Sequence, residues 1–184
     1  MPSTIKTLNI NIWGGPGTGK SIVAAQLFSD LKLSRISCEM VREYAKELTW
    51  SGQIHIHEQL EISAEQHRRQ ASLQGKADIV VTDAPVPQGV LFAPLTYRES
   101  LLACVATLTA PWESFNVLLH PNPDVPYEQA GRGETPEMAG MRHEEVAKLT
   151  RRLYGESLIE VPMAEAVSLL MPRILDWHKT HRFA

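Results

Sequence analysis

The sequence predicts an α/β fold, a parallel sheet of about five strands with helices on both faces. Three observations predict it. Strand-like and helix-like segments alternate along most of the 184 residues. Ile79-Val80-Val81 is an unbroken run of branched aliphatics, which marks a strand buried on both sides. A glycine cluster from Gly14 to Gly19 falls where one strand should hand over to a helix.

Taken in order, residues 7–13 alternate apolar with polar and stop at Gly14-Gly15, giving a first strand. Residues 20–33, rich in Ala, Leu and Phe among good helix formers, give a helix. Alternation returns from Arg35 to Val41 as a second strand, followed by a helix from Arg42 to Trp50. Ile56, Leu60, Ala64, His67 and Ala71 recur at steps of three and four and predict a helix with those residues on its buried face. Asp78–Asp83 and Phe115–Leu119 read as buried strands, with one helix near Arg98–Leu108 between the prolines at 85, 87, 94 and 111. Residues 120–135 form a long Pro/Gly-rich, lid-like loop, of a length that is usually functional or disordered. Thr135-Pro136-Glu137 then opens a helix, with an N-cap hydroxyl, a proline whose missing N–H costs nothing, and an acid in the first turn. Leu158–Val161 is a last short strand, and Met163–His178 a last helix that Pro172 should kink.

The composition fits one compact domain over residues 1–184. Hydrophobic residues make up 43 % of the chain, and 18 Lys+Arg against 21 Asp+Glu leave a net charge of −3. That balance argues against a strongly basic nucleic-acid coat, while leaving room for a local basic cleft. Two cysteines, Cys38 and Cys104, are too few for a disulfide framework and point to a reducing, cytoplasmic setting. With no apolar run of about 18 residues, no membrane span is expected.

The chemistry sits in Gly14-Gly15-Pro16-Gly17-Thr18-Gly19-Lys20-Ser21, which satisfies Gly-x4-Gly-Lys-[Ser/Thr], the phosphate-binding loop. Chance would produce the four fixed positions about once in a hundred chains of this size. The glycines let successive N–H groups face one oxyanion at a helix N-terminus, where the dipole favours negative charge. Lys20 is placed to neutralise the β- and γ-phosphates, and the Ser21 hydroxyl to ligate Mg²⁺.

Other candidates follow from position. Asp83 ends the most hydrophobic strand, at the edge where open α/β sheets bind ligands, and can hold Mg²⁺ or take a proton from an acceptor hydroxyl; the competing reading is a helix N-cap. Glu43 lies just beyond the second strand, as general base with Asp83 on the metal, or with the roles reversed, or as a solvated helix-start acid. Arg132, in Gly131-Arg132-Gly133 of the long loop, suits an arginine finger supplied in cis, against a solvated loop residue. Arg142 shares a helical stripe with Ala139, Val146, Leu149 and Leu153, which fits a cleft-facing or a packed, snorkelling arginine. His55 and His57 lack partners for a metal site, and His67 reads as a packed histidine. The neighbouring Arg68-Arg69 could touch a phosphate backbone or simply be solvated.

These residues resemble a family of small phage-encoded P-loop ATPase/kinase domains, related to the ribosylnicotinamide kinase half of bifunctional NAD-metabolism regulators. The likeness is carried by Gly14–Ser21, by Glu43-Tyr-Ala-Lys-Glu-Leu-Thr-Trp50, by Gln59…Ile62…Glu65-Gln66…Arg69, by Asp78-Ile-Val-Val-Thr-Asp-Ala-Pro85 and by Pro126-Tyr…Gly131-Arg132. It covers most of residues 8–160 in order. The resemblance implies a three-layer P-loop NTPase fold of the nucleoside- and nucleotide-kinase kind. It also implies an ATP- and Mg²⁺-dependent transfer to the hydroxyl of a nucleoside-like acceptor. Similar phage kinases include those acting on 5-hydroxymethyluracil in DNA, and a free nucleoside or nucleoside monophosphate, nicotinamide riboside included, is the alternative acceptor. A P-loop ATPase or switch that is not a kinase is a further alternative. This chain departs from the family where Asp83-Ala84-Pro85-Val-Pro-Gln-Gly89 replaces the usual Ser before the proline and the Leu-rich residues after it.

Overall fold

The computed structural model describes residues 6–122 and 135–181. Five strands, β1 (Leu8–Trp13), β2 (Cys38–Val41), β3 (Ile79–Thr82), β4 (Glu113–His120) and β5 (Ile159–Pro162), form one sheet in the order β2-β3-β1-β4-β5. Every neighbouring pair is parallel. All carboxyl ends therefore lie along one edge. The expected three-layer α/β architecture is present.

The helices are α1 (Lys20–Leu33), α2 (Tyr44–Trp50), α3 (Gln59–Ala71), the single turn α4 (Val86–Gly89), α5 (Arg98–Thr109), α6 (Pro136–Tyr154) and α7 (Ala166–His181). One sheet face buries Leu8, Ile10, Ile12, Ile79, Val81, Val117 and Leu119 with residues of α1 and α7. The other packs Trp13 and Leu118 against α5 and α6. The polar half of the β1 alternation is buried too. Asn11 Nδ2 and Trp13 Nε1 both donate to Asn116 Oδ1, at 3.0 and 3.1 Å, so the polar groups on this face satisfy one another.

Several expectations need correction. The second strand begins at Cys38 rather than Arg35, because residues 34–36 cap α1: Ile36 N–H donates to Leu31 C=O at 3.1 Å, and Arg35 takes the left-handed conformation, φ 59°, common just past a helix end. Helix α2 starts at Tyr44, not Arg42. Helix α3 starts at Gln59, after a capping box between Glu58 and Glu61, and Ile56 lies in the 3₁₀ turn before it. Its buried face is Ile62, Ser63, Gln66 and Gln70, while Leu60 is 58 % exposed. The hydrophobic period misleads there because two buried positions are glutamines, one of which holds a neighbouring turn. The last helix starts at Ala166 rather than Met163 and runs to His181, with Pro172 inside it. The opening of α6 is as expected, with Met138 N–H donating to Thr135 Oγ1 at 3.3 Å and Pro136 in the first turn. Among the described residues no helix is long and apolar enough to cross a membrane.

Candidate phosphate-binding site

The glycine loop leaves β1 at the carboxyl edge and delivers the chain into α1. Gly19, at φ 84°, is the N-cap of α1, a left-handed conformation that glycine adopts without penalty. Gly15 is glycine for a different reason. A Cβ there would lie 2.7–2.8 Å from Cβ, Cα and N of His143, so α6 packs directly on the loop backbone. Inside the loop, Lys20 Nζ donates to the carbonyls of Gly14 and Gly15, each at 2.9 Å, and Thr18 Oγ1 donates to Gly15 C=O at 2.9 Å. Gly17 is exposed and Pro16 half-buried, so one side of the loop stays open to solvent.

Asp83 follows β3, the strand directly beside β1. Its residue is only 4 % exposed, and Oδ2 accepts the Ser21 hydroxyl at 2.6 Å. Oδ1 is buried and, among the described residues, has no hydrogen-bond partner. A buried carboxylate oxygen left unpaired is costly unless something else meets it, and a hard divalent cation does. Carboxylate and hydroxyl oxygens side by side are also the donor types Mg²⁺ prefers, with substrate phosphates and water completing its shell. The residues present therefore fit that ion. Asp83 does not cap the following helix; Pro85 occupies that position.

Glu43 stands two residues beyond Val41, whose register partner is Thr82, so Glu43 and Asp83 leave adjacent strands at the same edge. It is half-buried and occupies the N-cap position of α2 without making a side-chain cap bond. The turn carrying it is held by Gln66 of α3. Gln66 Oε1 accepts the Tyr44 N–H at 2.9 Å, and its Nε2 donates to Arg42 C=O at 3.3 Å.

Arg142 is half-buried on α6, paired with Glu145, its guanidinium 4.8 Å from the Phe92 ring centroid. Arg132 lies outside the described residues. His67 is half-buried and stacked on Trp112, centroids 5.2 Å apart, and burial holds its pKa below the usual histidine range. Arg68 and Arg69 are engaged by carboxylates. Both bond Glu65, whose pKa their hydrogen bonds pull down to about 2, and Arg69 also grips Glu47 and lies 4.5 Å from the Tyr44 ring centroid. His57 faces Glu61 at 3.4 Å, and among the described residues no three His, Cys, Asp or Glu cluster as a metal site.

Two residues escaped the sequence reading. Gln88 of α4 clamps Gly14 from both sides: Oε1 accepts its N–H at 3.3 Å and Nε2 donates to its C=O at 3.1 Å. His143 accepts the Gly15 N–H at Nδ1, 3.2 Å. The signals were faint. Gln88 falls in the segment that departs from the family pattern, and His143 sits four residues after Ala139 and three before Val146, on a helical stripe.

A parallel sheet whose first strand ends in this loop, with an acid at the end of the adjoining strand, defines a P-loop nucleotide-binding domain. A family model described as an AAA domain matches residues 9–166, and the chain belongs to that family. No curated protein matches it. Among solved structures it is similar to NadR in complex with NR, TM-score 0.60 at 16 % identity, over 96 % of this chain and 52 % of that one, so it spans about half of NadR's length. It is also similar to deoxyadenosine kinase from M. mycoides, TM-score 0.56 at 12 % identity over 91 % of this chain and 98 % of that one. A gluconokinase from Sinorhizobium meliloti 1021 gives 0.51 at 18 % identity over 98 % and 97 %. At such identities the likeness is one of fold.

Proposed function

We propose that the protein is a kinase that transfers the γ-phosphoryl group of Mg·ATP to the hydroxyl of a nucleoside-like acceptor. The observation that carries the reading is the Ser21–Asp83 pair, with a buried Oδ1 that has no partner among the described residues, beside a phosphate loop held by Lys20. The structural likeness to two proteins named as kinases supports it.

The loop amides from Gly17 to Ser21 and the Lys20 ammonium bind the phosphates, while the Gly15 N–H is turned to His143. Ser21 Oγ and Asp83 would hold Mg²⁺, which would supply positive charge to offset that of the transferring group. With Asp83 engaged by Ser21 on Oδ2 and assigned to the metal it would hold, Glu43 takes the acceptor's proton. The acceptor oxygen forms its bond to γ-phosphorus as the bond from γ-phosphorus to the bridging oxygen breaks, and ADP leaves with that oxygen. Arg132 and Arg142 stabilise charge on the transferring group.

For the acceptor we propose 5-hydroxymethyluracil in DNA, which would have to be extruded from the duplex. A free nucleoside or nucleoside monophosphate is the second candidate. The test incubates γ-labelled ATP with free nucleosides, nucleoside monophosphates, plain duplex and duplex carrying 5-hydroxymethyluracil. Label on the modified duplex alone supports the DNA acceptor, label on a free nucleoside or monophosphate replaces it, and free phosphate in every mixture contradicts the kinase reading.

A further inference from the structure

The Gly15 peptide joins the phosphate loop to α6. Its C=O accepts Lys20 Nζ and Thr18 Oγ1, and its N–H donates to His143 Nδ1 at 3.2 Å. An imidazole nitrogen can accept only when it carries no proton. The contact therefore fixes His143 as the neutral tautomer with hydrogen on Nε2. Backbone packing adds to this, because a Cβ on Gly15 would meet the His143 backbone at 2.8 Å, leaving no room for the loop and helix to draw closer.

The surroundings keep the ring neutral. Burial lowers its pKa most, followed by the neighbouring basic side chains His120, Lys20 and Arg151, against a smaller opposing effect of Glu144. His120, at the end of β4, has its ring centroid 6.1 Å from that of His143. Its Nε2 lies 3.0 Å from Glu160 Oε2 on β5, and the same carboxylate receives Arg151 at 2.7–2.8 Å. That carboxylate is thus already engaged by two basic side chains.

We propose that His143 is a positioning residue of the phosphate loop: neutral, it fixes the Gly15 peptide through Nδ1, and protonated, it releases that amide and weakens nucleotide binding. The proposal rests on the phosphate-loop reading above. Its sign is diagnostic. A histidine acting only as a charge beside phosphates would tighten binding as it gains a proton, since opposite charges attract. A histidine that sets the loop through an acceptor nitrogen must do the reverse.

The experiment measures ADP affinity by calorimetry from pH 8 to pH 5 for the wild type, His143→Phe and His143→Asn. The asparagine variant places an Oδ1 acceptor near the site of Nδ1 and does not titrate. It also serves as the reference for protonation of ADP itself. The expected result is that His143→Phe binds about three- to ten-fold more weakly at pH 8, as for one lost hydrogen bond, and that His143→Asn recovers most of the loss. On acidification the wild type should weaken by a similar factor relative to His143→Asn. In the ligand-free wild type, the Gly15 amide resonance should shift with the same midpoint as the His143 ring. A wild-type to His143→Asn ratio that is flat with pH, or that moves toward tighter wild-type binding, overturns the proposal. So does a Gly15 amide that ignores the His143 titration, a readout that stands even if His143→Phe does not fold. If the Gly15 amide titrates but the wild type binds no ADP, the hydrogen bond is real and the phosphate-loop reading itself is overturned, taking the proposal with it.

Discussion

Ser21 Oγ donates to Asp83 Oδ2 across 2.6 Å, joining the first turn of α1 to the end of β3 at one buried carboxylate. Because Asp83 Oδ1 has no hydrogen-bond partner among the described residues, the carboxylate is left to meet something more. Replacing it with Asn keeps the shape and removes the charge. Asp83→Asn should lower phosphoryl transfer on the order of 10²- to 10³-fold. Removing Mg²⁺ with a chelator should abolish wild-type transfer. Transfer rates with and without added Mg²⁺ check both.

Two glycines should respond to alanine in opposite directions. Gly15→Ala drives a Cβ to within 2.7–2.8 Å of the His143 backbone and Cβ, and a helix cannot yield there cheaply. It should cost about 1–3 kcal/mol of stability. Gly140 is exposed inside α6, and a Cβ added there would meet nothing within 4 Å, so it should gain about 0.5–1 kcal/mol on becoming alanine. Urea midpoints of the two variants test the pair.

Gln66 is 6 % exposed and satisfies both the Tyr44 N–H and the Arg42 C=O around Glu43. Gln66→Leu leaves those groups unpaired, at a cost of about 1–3 kcal/mol. If Glu43 is the base, the same change should lower the transfer rate with little effect on ADP affinity. Separate measurements of stability, turnover and binding distinguish the two effects.

Stability should fall in stages on acidification. Burial lowers the pKa values of His67 and His143 below 6.5, so between 6.5 and their folded values the unfolded chain binds more protons than the folded one. Stability is complete above 6.5 and declines as the pH drops through that window. Glu65, pulled from 4.5 to about 2 by Arg68 and Arg69, contributes above 4.5 and loses its contribution as the pH falls toward 2. His67→Phe keeps a ring against Trp112 and removes one titration, so its urea midpoint should vary less than the wild type's between pH 6.5 and 5.

Much of this was legible in the sequence where one local pattern governs. The branched run at Ile79–Val81 and the strand–glycine–helix boundary at residues 13–20 express short-range geometry, and both elements stand where they were expected. Asp83 was legible because carboxyl ends of parallel strands share an edge. The buried face of α3 was not, because Gln66 and Gln70 lie where the period calls for apolar residues. Gln88 and His143 reach Gly14 and Gly15 across 74 and 128 residues of sequence, and no local spacing encodes such a contact.

The most direct measurement is a single-turnover reaction with γ-labelled ATP, the acceptor panel and Mg²⁺, run on the wild type, Lys20→Ala and Asp83→Asn. Label should move onto an acceptor hydroxyl with the wild type and stay on ATP with both variants. Label released only as free phosphate, or transfer by Asp83→Asn at the wild-type rate, would contradict the assignment of this site as a kinase centre.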